Sequence, residues 1–230
     1  QDTYQTLKYS EVPIVAAAAG LCLGGGAEVL MHCDAVQAHS ESYVGLVEVG
    51  VGIIPAWGGC KEYLGRVKEF GLVPNGPMGA VMKAFEVIGT AQVAKSAEQA
   101  RSMGFLSPND RITMNRDRLL ADAKKLLLDI SEGYVPPEPR TYSLPGVSGK
   151  AALQLAVNDL ALSGKVTPHD IIVTNALAEI LSGGDTDVTE LLQEDEILAM
   201  EKKTIAKLAK NTDTLDRMQH MLETGKPLRN

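Results

Sequence analysis

Two glutamates twenty positions apart, Glu28 and Glu48, each set among glycines and apolar residues, are the side chains in this chain best placed to move a proton. Glu28 closes the stretch GLCLGGGAE (20–28), and Glu48 sits in GLVEVGVG (45–52). Three consecutive glycines ahead of a helix are costly, because glycine loses the most conformational freedom on folding. A strand that feeds such a turn into a helix exposes unpaired backbone N–H groups with a partial positive charge. That end favours an anion, either a phosphate or the transient oxyanion of a polarised carbonyl. The phosphate patterns fail here. Gly20 and Gly25 have the glycine spacing of a phosphate-binding loop, but no lysine follows and Ala27 stands where a hydroxyl is needed. Gly24 and Gly26 begin a dinucleotide fingerprint, but Val29 occupies its third glycine position and no suitably placed acid follows. The oxyanion reading needs a proton-moving group nearby, and Glu28 supplies one. Taken alone, Glu28 could equally complement the helix dipole. Glu48 is either an exposed strand residue or a desolvated acid, whose raised pKa would suit proton transfer near neutrality.

The surrounding elements are those that would position such a pair. The apolar run PIVAAAAG (13–20) predicts a buried strand, although alanine is a weak strand former. A helix follows from residues 24–26 to about 34, then a short strand at 35–40, a glycine-punctuated segment of strand and loop, and a helix opening at WGGCKEYLGRV. From residue 95 the pattern is mainly helical. Ser96 with Gln99 makes a capping box, Asn115 caps a helix that ends at Gly133, and Thr167-Pro168 starts a helix that ends at Gly183-Gly184. Asp187 with Glu190 predicts a helix start, and a last helix runs over 213–224. Glu194, Asp195, Glu196, Lys202 and Lys203 read as a solvated helix face. The proline-rich stretch VPPEPRTYSLPG (135–146) divides the chain into residues 1–134 and a helical extension, 135–230.

Composition narrows the function classes. The 230 residues carry a net charge of −7 and only 4% aromatics, against a nucleic-acid surface or a base-stacking platform. Residues 12–27 carry no charge, but the run is short for a membrane span and contains Pro13 and four glycines. Cys22, Cys33 and Cys60 are odd in number and lack metal-ligand spacing; they read as reduced thiols of a cytoplasmic protein. His32, His39, His169 and His220 form no metal or triad pattern and read as structural or surface residues.

The segment PIVAAAAGLCLGGGAEVLMHCDAVQAHSESYVGLVEVGVGIIPAWGG resembles the signature of the crotonase (enoyl-CoA hydratase/isomerase) superfamily: strand, GGG-x-E, a Cys-Asp pair, F-G-x-x-E and P-G-x-G-G. The resemblance implies an α/β fold, a crotonase-like spiral of ββα units with a mainly helical C-terminal region. It implies a CoA thioester as substrate and no other cofactor or metal in these residues. Gly25, beside Gly24, would donate an oxyanion N–H; Glu28 and Glu48 would be the acid/base pair; Pro55 and Ala56 would belong to the substrate-binding turn, with the Ala56 N–H near the water. Four positions depart from the pattern. Val44 replaces a Phe, Val47 a Pro and Ala56 a Gly, and Trp57 enters the turn, where it either narrows the acyl pocket or packs outward.

The family's second oxyanion N–H and much of its CoA surface belong to N-terminal units that the resemblance expects to be missing here. The C-terminal stretch resembles the end of a bacterial fusion of 3-hydroxyacyl-CoA dehydrogenase with an enoyl-CoA hydratase, so NAD belongs to the parent's dehydrogenase domain. The expected function is hydration of 2-enoyl-CoA in fatty-acid β-oxidation. The alternatives are an enoyl-CoA isomerase, a non-catalytic acyl-CoA binding or assembly module, or an inactive fragment. The resemblance further implies a homo-oligomer, or association with the N-terminal region.

Overall fold

The apolar run at 13–20 forms one strand and ends in a turn. Gly20, at φ +71°, turns the chain between β1 (Val15–Ala18) and β2 (Leu21–Leu23). The computed structural model describes all 230 residues. After β2 come α2 (Gly25–Met31), β3 (Ala35–His39) and β4 (Tyr43–Gly45), and the pairing shows a repeat. β1 pairs in parallel with β3, Val15 opposite Ala35, while β2 pairs in parallel with β4, Leu21 opposite Tyr43. Each unit is therefore two strands that part into two sheets, followed by a helix. β5 (Arg111–Thr113) adds to β3 and gives the order β1-β3-β5. This is the ββα winding expected from the sequence.

Between β4 and β5 run a 3-10 turn at Glu48–Val51, α3 (Gly59–Glu69), α4 (Pro77–Gly89) and α5 (Ala97–Ser102). The sequence reading passed over α4, although Pro77 at its first position and Ala80, Val81, Ala84, Val87 and Ile88 on its buried side are a helical signal. The expected caps form: Ser96 accepts from the Gln99 N–H, and Asn115 from Asp117 ahead of α6 (Leu119–Ser131).

The proline-rich connector is more than a linker. Its β6 (Thr141–Ser143) pairs antiparallel with β7 (Leu191–Gln193), on either side of α7 (Gly146–Leu162) and α8 (Pro168–Ser182). α8 starts with the Thr167/Asp170 capping box and Pro168. A helix start at Asp187 is not observed. Residues 191–193 are taken by β7, and α9 (Glu194–Leu208) begins at a Gln193/Glu196 capping box instead. α10 (Thr212–Thr224) ends at Gly225. One apolar cluster runs from Ala18 through Val44, Tyr63 and Leu177 to Leu208, so the residues on both sides of the connector share a core. No helix is long and apolar enough to cross a membrane.

Glu194 corrects the expectation of a solvated face. It is 3% exposed and joins an ion cluster that ties α9 to α3 and to the first helix, α1 (Asp2–Lys8). Lys8 Nζ lies 2.6 Å from both Glu62 and Glu194, and Lys61 Nζ lies 2.6 Å from Glu62 and 3.1 Å from Glu194. Arg140 from the connector bonds Glu62 at 2.7 Å, and the Tyr9 hydroxyl donates to Glu194 at 2.6 Å. Burial raises the Glu194 pKa, but Lys61 and Lys8 outweigh it and hold the group down at about 2.

Glu194→Gln leaves two buried ammonium groups sharing the single carboxylate of Glu62 and is expected to cost about 3 kcal/mol at neutral pH, the low end for breaking a buried pair. A depressed acid stabilises above its unfolded pKa and loses that contribution as pH falls through its folded pKa. Urea denaturation at a series of pH values should therefore show the gap between the two proteins closing from about pH 4.5 toward pH 2.

Candidate active site

Glu28 lies in the first turn of α2 and is 2% exposed. A buried carboxylate needs donors, and these come from the turn Pro55-Ala56-Trp57-Gly58-Gly59 that leads into α3. The N–H groups of Trp57 and Gly59 both reach Glu28 Oε1 at 2.9 Å. Burial raises the Glu28 pKa, and these two bonds oppose the rise.

Glu48 is the counterpart with one oxygen, Oε2, left without a donor. It opens the 3-10 turn after β4, and Oε1 sits so close to Gly24 that a Cβ there would meet it at 3.2 Å. Oε2 is enclosed and makes no hydrogen bond. Burial, with the charge of Glu28 second, pushes its pKa to about 8, so at neutral pH Glu48 holds its proton. The two glutamates thus differ in the way an acid/base pair must. One has an oxygen held by two backbone donors, and the other is a carboxylic acid whose enclosed Oε2 has none.

Both line one cavity of about 590 Å³. Its walls include Leu23, Val51, Ile53 and Ile54 from the α/β part, with Ile205 of α9, Met221 of α10 and Pro227 closing it from the C-terminal side. Of the six residues singled out in the sequence, Gly24, Gly25, Glu28, Glu48 and Ala56 line this cavity. Pro55 does not. It packs behind the turn against Gly59, and its carbonyl accepts the Cys60 thiol at 3.3 Å. The N–H groups of Gly25 and Ala56 have no acceptor within the chain. Trp57 is half exposed, and its ring also lines the cavity, lying over Gly25 so closely that a Cβ there would meet it at 2.5 Å. A second cavity, about 580 Å³, lies among α7, α8 and α9, away from both glutamates.

Several supporting residues escaped the sequence reading. Tyr4 of α1 stacks on His32, centroids 5.4 Å apart, and lies against Trp57 at 5.6 Å. His32 is fully buried, with Nδ1 2.7 Å from the Glu28 carbonyl; burial lowers its pKa to about 4, so it is a neutral structural donor. His169, expected only at a helix start, is buried and bonds Thr214, whose hydroxyl donates to the Gly52 carbonyl at the end of the Glu48 turn.

Comparison with known proteins places the fold. The fold is shared with carnitinyl-CoA hydratase from Mycobacterium avium, at a TM-score of 0.56 and 18% identity, over 97% of this chain and 65% of that one. The fold is that of the crotonase superfamily. More particularly, residues 1–69 match the family described as enoyl-CoA hydratase/isomerase. A probable 3-hydroxyacyl-CoA dehydrogenase of Bacillus subtilis (strain 168) is 41% identical over the whole of this chain. Crotonyl-CoA hydratase of Syntrophomonas wolfei is 31% identical over 55% of the chain. The chain spans 29% of the first relative and 42% of the second.

The two protonation states give a stability prediction. An acid whose folded pKa is raised binds a proton that the unfolded chain has already lost, so stability falls as pH rises between the two values. For Glu48 the window runs from about 4.3 in the unfolded chain to about 8 in the folded one. Glu48→Gln removes this loss. Thermal melts should show the variant level with the parent near pH 4 and more stable at pH 8, by on the order of a few kcal/mol. A pH-independent difference would refute the assignment.

Proposed function

We propose that this chain carries the hydration site of an enoyl-CoA hydratase of fatty-acid β-oxidation. The observation that carries the reading is the pairing, in one apolar cavity, of a donor-satisfied Glu28 with an unpartnered Glu48 beside the free N–H of Gly25. The thioester carbonyl of a 2-enoyl-CoA would accept from the Gly25 N–H, and the acyl chain would lie against the apolar walls. A water held near Glu28 and the Ala56 N–H loses a proton to the Glu28 carboxylate as its oxygen bonds to C3. The electrons of the double bond move toward the thioester oxygen, where the backbone donor stabilises the developing charge. Glu48 delivers its proton to C2. The product is a 3-hydroxyacyl-CoA, and solvent exchange returns the water's proton from Glu28 to Glu48.

We read the dehydrogenase in the name of the Bacillus subtilis relative as a step outside these residues, with NAD bound elsewhere in a longer protein. Assembly with further chain or with other copies is consistent with the exposed Leu21, Leu155 and Leu162. Three unpaired thiols suit a reducing cytoplasm.

The test is hydration of crotonyl-CoA, followed by loss of its enoyl absorbance, on the chain and on a longer natural protein containing it. Glu28→Gln and Glu48→Gln are each expected to lower kcat by about 10²-fold or more, the usual weight of a positioned acid or base. The parent rate should decline on the alkaline side as Glu48 loses its proton near pH 8. Hydration by neither protein, or near-full activity in both variants, would overturn the reading.

A further inference from the structure

The turn that holds Glu28 holds a second carboxyl group as well. Its donors alternate. Trp57 and Gly59 give their N–H groups to Glu28, while Gly58 and Lys61 give theirs to Glu201 of α9, at 2.8 and 3.0 Å. Gly58, at φ +106°, makes the alternation possible by turning its amide away from those on either side. Glu201 has no exposed surface and takes part in no ion pair with a lysine or arginine side chain. It lies on the buried stripe of α9 with Ile197 and Leu208, where an aliphatic residue would pack without the cost of burying a carboxyl. The charged and titratable groups acting on it are Glu28 from α2 and Lys61 from α3, with the Cys60 thiol beside it.

We propose that Glu201 is a positioning residue for the hydration reaction: by fixing the Gly58 and Lys61 amides it aims those of Trp57 and Gly59 at Glu28. The proposal rests on the hydratase reading. Glu201 is not among the residues that line the cavity and acts only through the turn. With its grip lost, the two bonds to Glu28 lengthen and Glu28 becomes more basic. Burial holds the Glu201 pKa up at about 8, so below that pH the group is a neutral carboxyl and its loss takes no charge from beside Glu28; a shifted Glu28 midpoint then reports position.

The experiment follows the backbone amide resonances of Trp57 and Gly59 against pH in the parent, Glu201→Gln and Glu201→Asp. The aspartate keeps the carboxyl group and loses the reach. Positioning predicts that the Glu28 midpoint rises in both variants, by about tenfold in proton affinity for a weakened charge-assisted bond. It also predicts that kcat for crotonyl-CoA falls by about the same factor with KM nearly unchanged. A midpoint that stays put while stability drops makes Glu201 a helix cap only and overturns the proposal, as does a midpoint that falls. If the midpoint rises in a protein that hydrates nothing, the positioning stands and the hydratase reading fails. If neither variant folds, the parent decides. Trp57 and Gly59 must then respond at the same pH step that Gly58 and Lys61 report for Glu201, and silence there overturns the coupling.

Discussion

A carboxyl group taken out of water must either give up its charge or find donors, and this site uses both solutions side by side. Glu28 has two amides of a glycine-rich turn pointing at one of its oxygens, and they oppose the rise that burial imposes on its pKa. Glu48, facing an apolar cavity with no donor on Oε2, keeps its proton to about pH 8. The difference between the two glutamates is a difference in backbone, not in side chain. Everything else in the structure serves to hold that backbone: the split strands that bring residues 24 and 48 together, the turn at 55–59, and the helices packed behind it.

Much of this was legible in the sequence because it is local. A strand, a glycine turn and a helix start are written in adjacent residues, and Glu28 takes its place from them. Glu48 follows the second strand pair, which is parallel like the first. The caps at Ser96, Asn115 and Thr167 are equally local and equally readable. Pro55 is the exception among the site residues. Its motif was recognisable, but only the three-dimensional turn shows that it backs the site while Ala56 and Trp57 face the cavity.

What escaped the reading depends on partners far along the chain. Glu194 opens a helix with three acids in its first turn, an ordinary complement to the helix dipole. Its partners Lys8 and Lys61 lie in α1 and α3, and nothing near residue 194 announces them. A signal was nonetheless present. The buried positions of α9 are 194, 197, 198, 201 and 208, a helical stripe in which two of the five are glutamates. Acids at apolar spacing are the mark of buried carboxyls that have found donors elsewhere, and here one found cations and the other found amides.

The C-terminal helices consequently do more than cover the α/β part. α9 reaches the Glu28 turn through Glu201, and α10 reaches the end of the Glu48 turn through Thr214, itself held by His169 of α8. The same helices supply Ile205 and Met221 to the cavity wall. Each glutamate is therefore set from two sides, by glycines near it in sequence and by a polar side chain more than 150 residues away. The two controls are separable. Local glycines let the backbone come close, whereas the distant helices decide how tightly it is kept there. A change in α9 or α10 can therefore alter proton transfer without touching any group that meets the substrate, and that places the tuning of this site in the part of the chain where the family signature has already faded.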